Sequence, residues 1–146
     1  MPIKLKTIFF ILTIGVVFSR CNKDELEWVR INDLFTVGVN QQIKVIDDRN
    51  RTIYVNVAEI NENRCPTDAF CIHAGNVLIK VVIEDTRKSQ FSTLLCLGDC
   101  SPSINNLKSF VFYNIEYTIQ LLEVNPVPTT KNQEDKKKVV LKLFRN

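Results

Sequence analysis

The chain has 146 residues, of which 45% are hydrophobic and 24% charged, which is enough apolar sequence for one domain with a core. Its formal net charge is +3, but three basic residues, Lys4, Lys6 and Arg20, lie within the first twenty positions, and the remainder carries 16 basic and 16 acidic side chains. This balance excludes the broad basic surface of a nucleic-acid-binding protein, so no nucleic acid is expected as a partner.

The N-terminus has the order of an export signal. Lys4 and Lys6 precede an apolar stretch of eleven residues, 8–18. As a helix, this stretch reaches only about half of a ~30 Å hydrocarbon core, which disfavours a permanent membrane span. We therefore predict a helical signal peptide over residues 1–20.

Cys21 follows this segment directly. The sequence Val-Phe-Ser-Arg-Cys at 17–21 resembles the end of a bacterial lipoprotein signal, although Arg20 stands where a small residue is usual. The lysine and two acidic residues of Cys-Asn-Lys-Asp-Glu are similar to the tether of surface-displayed lipoproteins of Bacteroidota-type outer membranes. The resemblance implies lipidation of Cys21, a tether over 21–26, and an outer-membrane location at the cell surface or in the periplasm. An ordinary cleaved secretory signal is the alternative.

Residues 27–146 contain short apolar runs with period-two alternation, which predicts an all-β domain. Seven to eight strands, with turn signals about every ten residues, favour a two-sheet antiparallel, immunoglobulin-like β-sandwich, with a small barrel as the alternative. The strand at 76–84 is apolar on both faces, so we expect it to be central. The predicted strands are 27–31, 34–39, 42–46, 52–60, 76–84, 90–96, 115–124 and 137–144.

Several segments are predicted to be loops. A long loop covers 97–108, and the run 110–113 leads from it into the strand at 115–124. Asp47 and Asp48 begin a polar turn, and Lys136 to Lys138 is expected to be a solvated loop end before the last strand.

Four cysteines remain beyond Cys21, and an even number in an exported chain predicts two disulfides. Local pairs, Cys65 with Cys71 and Cys96 with Cys100, fit the reach of a disulfide. Crossed pairing between the two regions stays open as an alternative.

Residues 63–76 read Asn-Arg-Cys-Pro-Thr-Asp-Ala-Phe-Cys-Ile-His-Ala-Gly-Asn. The order Arg-Cys-Pro, four residues, Cys, two residues, Ala-Gly resembles a motif of small bacterial secreted lipoproteins of unassigned function, in which Trp usually takes the position of His73. The resemblance implies an all-β domain, favours a bond between Cys65 and Cys71, and provides no catalytic residues. Because β-sandwiches usually recognise partners through loops, we expect this loop to be a binding surface. Its candidate binding residues are Arg64, Pro66, Thr67, Asp68, Phe70 and His73.

The sequence lacks the parts of the common catalytic and metal sites. It has one histidine, no Gly-x-Ser-x-Gly elbow and no phosphate-binding glycine loop, and the cysteine spacing is not that of a zinc site, so no metal or cofactor is expected. The carboxylate pairs Asp47–Asp48 and Glu134–Asp135 fall in predicted solvated turns. The hypothesis is a non-catalytic, lipid-anchored binding or accessory module for a protein or glycan. A secreted hydrolase inhibitor is the second interpretation and a small enzyme the third.

Overall fold

The computed structural model describes residues 26–132 and 135–146. The predicted signal helix, Cys21, most of the tether and Glu134 lie outside these residues. The described chain contains nine strands and no helix, in agreement with the all-β prediction. The strands are β1 (Trp28–Arg30), β2 (Leu34–Gly38), β3 (Gln42–Ile46), β4 (Thr52–Glu62), β5 (Asn76–Asp85), β6 (Gln90–Gly98), β7 (Leu107–Phe112), β8 (Ile115–Asn125) and β9 (Lys138–Arg145).

The strands form two open sheets, a first sheet in the order β1-β3-β4-β5-β6 and a second sheet in the order β2-β9-β8-β7. Neighbouring strands are antiparallel except for β1 and β3, which are parallel. The predicted two-sheet sandwich is confirmed, and the sheets do not close into the alternative barrel. Strands β3 to β6 and β7 to β9 are meanders, an order that differs from the Greek key of immunoglobulin domains.

The sequence pattern did not predict β7 as a strand of its own. The predicted loop at 97–108 shrinks to 99–106, because β6 continues to Gly98 and β7 begins at Leu107. A two-residue turn joins β7 to β8 through Tyr113 and Asn114, with φ angles of 55° and 58°. Asparagine is common in such left-handed turns but tyrosine is rare, and neither glycine nor proline is present, so the sequence carries only a weak turn signal at this point.

Contacts of the Tyr113 side chain fix this unusual turn. Its hydroxyl donates to the carbonyl oxygen of Thr52 at 3.1 Å, and its ring lies against the guanidinium groups of Arg51 and Arg87, 5.3 and 4.4 Å from the ring centre. The hydroxyl also accepts from the amide of Thr86 at 3.2 Å and lies 3.0 Å from the Thr86 hydroxyl. The turn is therefore attached to the first sheet by hydrogen bonds to Thr52 and Thr86 and by two cation–π contacts.

Alternating apolar side chains fill the space between the sheets. Strand β5 lies between β4 and β6, as predicted, and its inward face is fully buried. The same alternation holds in β4, β8 and β9, so each sheet contributes one apolar face to a single core. The fully buried core residues of these four strands are Ile53, Val55, Val57, Val77, Ile79, Val81, Ile83, Tyr117, Ile119, Leu121, Val139, Leu141 and Leu143.

A bulge in β4 changes which side chains face the core. The β4–β5 register shifts between Val57 and Glu59, and β8 has a similar shift. Beyond the shift, Glu62 pairs with the buried Val77 and so occupies an inward position. The extra residue therefore directs a charged side chain towards one end of the core.

The sandwich has two different ends. We call one the turn end; it contains the tight turns after β3, β5 and β7, at residues 47–51, 86–89 and 113–114. The other, the disulfide end, contains the longer loops and both disulfides. Its described segments are 39–41, 63–75, 99–106, 126–132 and 135–137.

Asp47 is buried at the turn end, so the prediction that it lies in a solvated turn is wrong. Its carboxylate accepts hydrogen bonds from the amides of Arg49 and Arg51, at 2.9 and 2.8 Å, from Nε of Arg51 at 2.7 Å, and from the hydroxyl of Tyr117 at 2.8 Å. Asp47 comes two residues after Val45, which is fully buried, and continues its inward alternation. The carboxylate thus links the β3–β4 turn to β8 in the opposite sheet.

These contacts shift the pKa values of Asp47 and Tyr117 in opposite directions. Burial by itself raises the pKa of the Asp47 carboxyl, but the hydrogen bonds from Arg51 and Tyr117 outweigh it and lower the pKa to about 2, from an ordinary 3.8. Burial and the bond to Asp47 raise the pKa of the Tyr117 hydroxyl to about 12. Asp47 is therefore charged and Tyr117 protonated at every moderate pH.

Acid is expected to remove the contribution of Asp47 to stability. Because its pKa is lower in the folded chain than in the unfolded one, the unfolded chain binds more protons, and stability falls as the pH drops from about 4 to about 2. A difference of nearly two pKa values corresponds to about 2 kcal/mol. Denaturant unfolding at pH 7, 4, 3 and 2 measures this loss, and Asp47→Asn is the control. A variant with the same acid dependence as the unchanged chain would contradict the assignment.

The β5–β6 turn repeats this arrangement with one difference. Asp85 is fully buried and accepts from the amides of Arg87 and Ser89, at 2.8 and 2.9 Å, and from the guanidinium of Arg87 at 3.0 Å. The side chain of Arg87 is 59% exposed, whereas that of Arg51 is 20% exposed. Asp85 has no bond from the opposite sheet among the described residues, so the two turns form a natural comparison.

Candidate functional site

The candidate binding loop joins β4 to β5 at the disulfide end and spans residues 63–75. Cys65 and Cys71 are bonded within it, with 6.0 Å between their α carbons, which confirms this predicted pair. The amide of Cys65 also donates to the carbonyl oxygen of Ala74 at 2.8 Å, and that of Asn63 donates to Asn76 at 2.8 Å. The loop is thus a covalent ring on a base that continues the β4–β5 ladder.

The second disulfide lies beside the first. Cys96 near the end of β6 is bonded to Cys100 in the following loop, with 6.1 Å between their α carbons. Both pairs are therefore local, and the crossed pairing left open by the sequence does not occur. Each disulfide closes a small ring at the same end of the sandwich.

Two glycines bring these rings together. Gly75 has φ of 71° and Gly98 has φ of 97°, and a β carbon on Gly98 would lie 2.5 Å from the carbonyl oxygen of Gly75. That oxygen accepts from the amide of Asp99 at 2.9 Å, while the side-chain amide of Asn76 donates to Asp99 at 2.7 Å. This approach leaves no room for a β carbon on Gly98, while at Gly75 a β carbon would lie 2.0 Å from the carbonyl oxygen of Asn63 at the base of the same loop.

Arg64 supports the base of the loop. Its Nε donates to Glu62 at 2.7 Å, and its Nη2 donates to the carbonyl oxygen of Val124 in the second sheet at 3.0 Å. The Arg64 side chain is 19% exposed. This candidate binding residue therefore bridges the two sheets, and its guanidinium is largely used within the protein.

Lys137 is buried beside this pair, so the prediction of a wholly solvated lysine run is wrong at this position. Its Nζ donates to the carbonyl oxygen of Pro126 at 2.8 Å and lies 3.8 Å from Glu62, and the side chain is 8% exposed. Lys137 stands two residues before the buried Val139, so alternation directs it inward. Glu62 and Lys137, from opposite sheets, close the core at the disulfide end.

The charge of Glu62 depends on these neighbours. Burial raises the pKa of its carboxyl, but the hydrogen bonds from Arg64 and the positive charge of Lys137 outweigh burial and lower that pKa. Glu62 is therefore an ionised partner in an ion-pair network, not a protonated acid ready to donate.

A cleft of about 450 Å³ opens beside this network. The charged groups on its wall are bonded to one another or to backbone carbonyl groups, as described above, and the rest of the wall is amide and proline. This lining offers hydrogen-bonding groups beside two proline rings. The lining residues are Glu62, Asn63, Arg64, Pro66, Pro128 and Lys137.

The side of the ring that faces the β8–β9 loop is also fixed. Asp68 accepts from the amide and the hydroxyl of Thr130, at 2.8 and 2.7 Å, and the amide of Thr67 donates to Pro128 at 3.0 Å. The bonds from Thr130 lower the pKa of the Asp68 carboxyl. Half-buried Pro66 lies at the start of this contact. The Asp68 side chain and the backbone of Thr67 thus hold the ring in place.

The tip of the ring points away from the protein. Phe70 and Ile72, on either side of Cys71, are 108% and 96% exposed, and His73 and Thr67 are also exposed. Of the predicted binding residues, Phe70, Thr67 and His73 therefore present free side chains. Ile72 was not among the predicted residues. Its position next to a ring cysteine, outside any alternating run, could have indicated that this apolar side chain is exposed.

Within 26–132 and 135–146, no three side chains of His, Cys, Asp or Glu converge as ligands for a metal ion. In the same part of the chain no helix has the length and apolar character needed to cross a bilayer.

Comparison with known proteins gives no relative from which a role can be transferred. No protein-family model matches the sequence, and no curated protein and no solved structure resembles it significantly. Inferences about function therefore depend on the geometry of the disulfide end.

Proposed function

We propose that this chain is a non-catalytic lipoprotein of the outer membrane, anchored by a lipid on Cys21, whose 63–75 loop is a recognition surface. The observation that carries the proposal is the full exposure of Phe70 and Ile72 on a ring closed by a disulfide. Hydration of large apolar side chains is unfavourable, and contact with an apolar partner relieves that cost. In this proposal the loop makes the contact with the partner, and the sandwich holds the loop in position.

The fixed geometry of the loop supports this role. A flexible loop loses conformational entropy when it binds, whereas a ring held by a disulfide and by bonds to both neighbouring loops has lost most of it on folding. Arg64, Asp68 and Gly75 provide the support, and Phe70, Ile72 and His73 provide the contact. The apolar character of the tip favours an apolar partner surface over a glycan.

A hydrolase inhibitor is the second candidate, favoured by the same protruding ring. A preorganised loop that enters a cleft binds at low entropic cost, and Phe70 is large enough to fill an apolar pocket. The partner of the loop distinguishes the two candidates.

Replacing the tip is expected to remove the contact without affecting the fold. In the double variant Phe70→Ser, Ile72→Ser the free energy of unfolding should change by less than about 0.5 kcal/mol, because both side chains are exposed. A photo-reactive benzoylphenylalanine in place of His73 should form an adduct in intact cells, and the double variant should lose it. Mass spectrometry of the adduct identifies the partner as lipid, surface protein or hydrolase.

The matched control is Leu34→Ser, Val111→Ser. These residues are 60% and 64% exposed on the second sheet, far from the ring. This pair should leave the adduct unchanged. Equal adducts in both double variants, or no adduct from position 73, would refute the proposed recognition surface.

A further inference from the structure

We infer that the partner of the loop is a lipid surface: the disulfide end rests on the bilayer that holds the lipid of Cys21, and Phe70 and Ile72 enter its interfacial layer. The inference rests on the proposed function, because it takes Cys21 as the anchored residue. Three features of the molecule support it: the direction of β1, the length of chain before it, and the distribution of exposed apolar side chains.

The direction of β1 sets the side from which the tether arrives. β1 is parallel to β3, with Trp28 beside Lys44 and Arg30 beside Ile46. β3 runs towards the turn end, since Ile46 immediately precedes the first tight turn. The chain before Trp28 therefore points towards the disulfide end. The bond from the amide of Lys44 to the carbonyl oxygen of Glu27, at 3.0 Å, fixes this direction one residue before the strand.

The length of the tether limits where the anchor lies. Cys21 is five residues before Leu26, a reach of at most about 17 Å. Asn56 of β4 pairs with Gln42 at the start of β3, and β4 continues from there to Glu62, which is about 20 Å of strand. An extended tether thus reaches about as far as the base of the loop. If the tether turned back towards the turn end, the bend would use part of this short length. We therefore place the lipid-bearing Cys21 beside the disulfide end.

Exposed apolar side chains distinguish the two ends. In the loops of the disulfide end, Val39, Phe70, Ile72 and Val127 are exposed. The tight turns of the turn end consist of polar residues and the half-buried Tyr113. The end towards which the tether points is therefore the end with an apolar surface, as expected for a face that lies on lipid.

The composition of the tip fits shallow insertion. Ala69, Phe70, Cys71 and Ile72 form an uninterrupted apolar run, and Asp68 below them is bonded to Thr130 at the level of the loop base. Insertion of this run leaves the charged groups in the headgroup layer. The exposed charged residues in the described loops of this end show no excess of positive charge, so contact should depend on apolar insertion more than on anionic lipid. These residues are Lys131 and Lys136 against Asp68, Asp99 and Asp135.

Tryptophan fluorescence in vesicles tests the inference. The chain has one tryptophan, Trp28, so Trp28→Phe with Phe70→Trp places a single reporter at the tip, and Trp28→Phe with Val111→Trp places one near the turn end. The lipidated full chain is reconstituted in vesicles of phosphatidylcholine and phosphatidylglycerol, with or without bromine on the acyl chains. We expect brominated lipid to reduce the fluorescence of the reporter at 70 and to leave that at 111 unchanged, with little effect of replacing phosphatidylglycerol by phosphatidylcholine.

Two outcomes overturn the inference in distinguishable ways. Equal quenching at both positions, or stronger quenching at 111, in protein whose lipidation is verified by mass would show that the tip does not face the bilayer, and would leave the anchored recognition module intact with a protein as partner. An N-terminal peptide without lipid on Cys21 would remove the proposed anchor and this inference with it.

Discussion

Replacement of Gly75 by alanine is expected to destabilise the disulfide end by about 3 kcal/mol or more, a large effect for the addition of a single methyl group. The added β carbon would lie 2.0 Å from the carbonyl oxygen of Asn63, and φ of 71° is costly for any residue with a side chain. Both obstacles are backbone, so relief requires the loop base to open. Denaturant unfolding without reductant gives the loss, and hydrogen exchange at the amides of Asn63 and Cys65 shows whether the base opens.

Gly38→Ala is the matched control for this substitution. Its β carbon would meet Oε1 of Gln41 at 2.7 Å, which is the end of a flexible side chain able to move aside. Only the hydrogen bond from the amide of Gly38 to that oxygen, at 2.9 Å, is put at risk. We expect a loss below about 1.5 kcal/mol. Similar losses at Gly75 and Gly38 would show that the approach of the loop strands does not require glycine.

Asp47→Ala is expected to lower the free energy of unfolding by about 3–5 kcal/mol, because it leaves a largely buried guanidinium and a buried hydroxyl without their acceptor. The groups that lose this acceptor are the amides of Arg49 and Arg51, the guanidinium of Arg51 and the hydroxyl of Tyr117. The core side chains around Tyr117 remain in place, so the loss reports the polar contacts. Urea unfolding at neutral pH measures it.

Two other aspartates give graded controls. Asp85→Ala removes the same turn contacts, but its arginine is mostly exposed and can be hydrated, so we expect a smaller loss, about 1–3 kcal/mol. Asp48 is 55% exposed and lies 3.4 Å from Arg145, so Asp48→Ala should cost less than about 1 kcal/mol. An Asp47 variant as stable as the Asp48 variant would contradict the role of Asp47 in joining the sheets.

The strands were largely predictable because burial on one face imposes a period of two. The runs around Val55, Val81 and Leu141 each alternate over at least five residues, and each forms a strand near its predicted bounds. β7 was missed because Tyr113 and Asn114 turn the chain without glycine or proline. Sheet order was not predictable, since pairing depends on contacts between strands distant in sequence.

Buried charges were missed because polarity was taken as exposure. Asp47, Asp85 and Lys137 each lie two residues from a buried apolar side chain, and alternation extended by one step places all three inward. Glu62 does not follow from alternation, because only the bulge after Val57 directs it to the core. Charged residues next to apolar runs thus indicated which side chains close the core at the two ends of the sandwich.

The candidate loop was predictable in position, and its role in binding stays a prediction. The sequence motif identified Arg64, the disulfide ring and Gly75, and the structure gives each a supporting contact. Which side chains remain free was not predictable, since Asp68 is held by Thr130 from a loop 62 residues away. The exposure of Ile72 likewise depends on how the ring is oriented.

The position of β9 in the second sheet has a consequence for how the chain matures. β9 lies between β2 and β8 and pairs with both, although β2 precedes it by about a hundred residues. As the chain is delivered from its N-terminus, the hairpins of β3 to β6 can form, but β2 has no neighbour in its sheet until β9 arrives. Closure over such a sequence separation is slow. A product interrupted before Lys138 would retain an unpaired β8 edge over an uncovered apolar face, the kind of species that aggregates or is degraded.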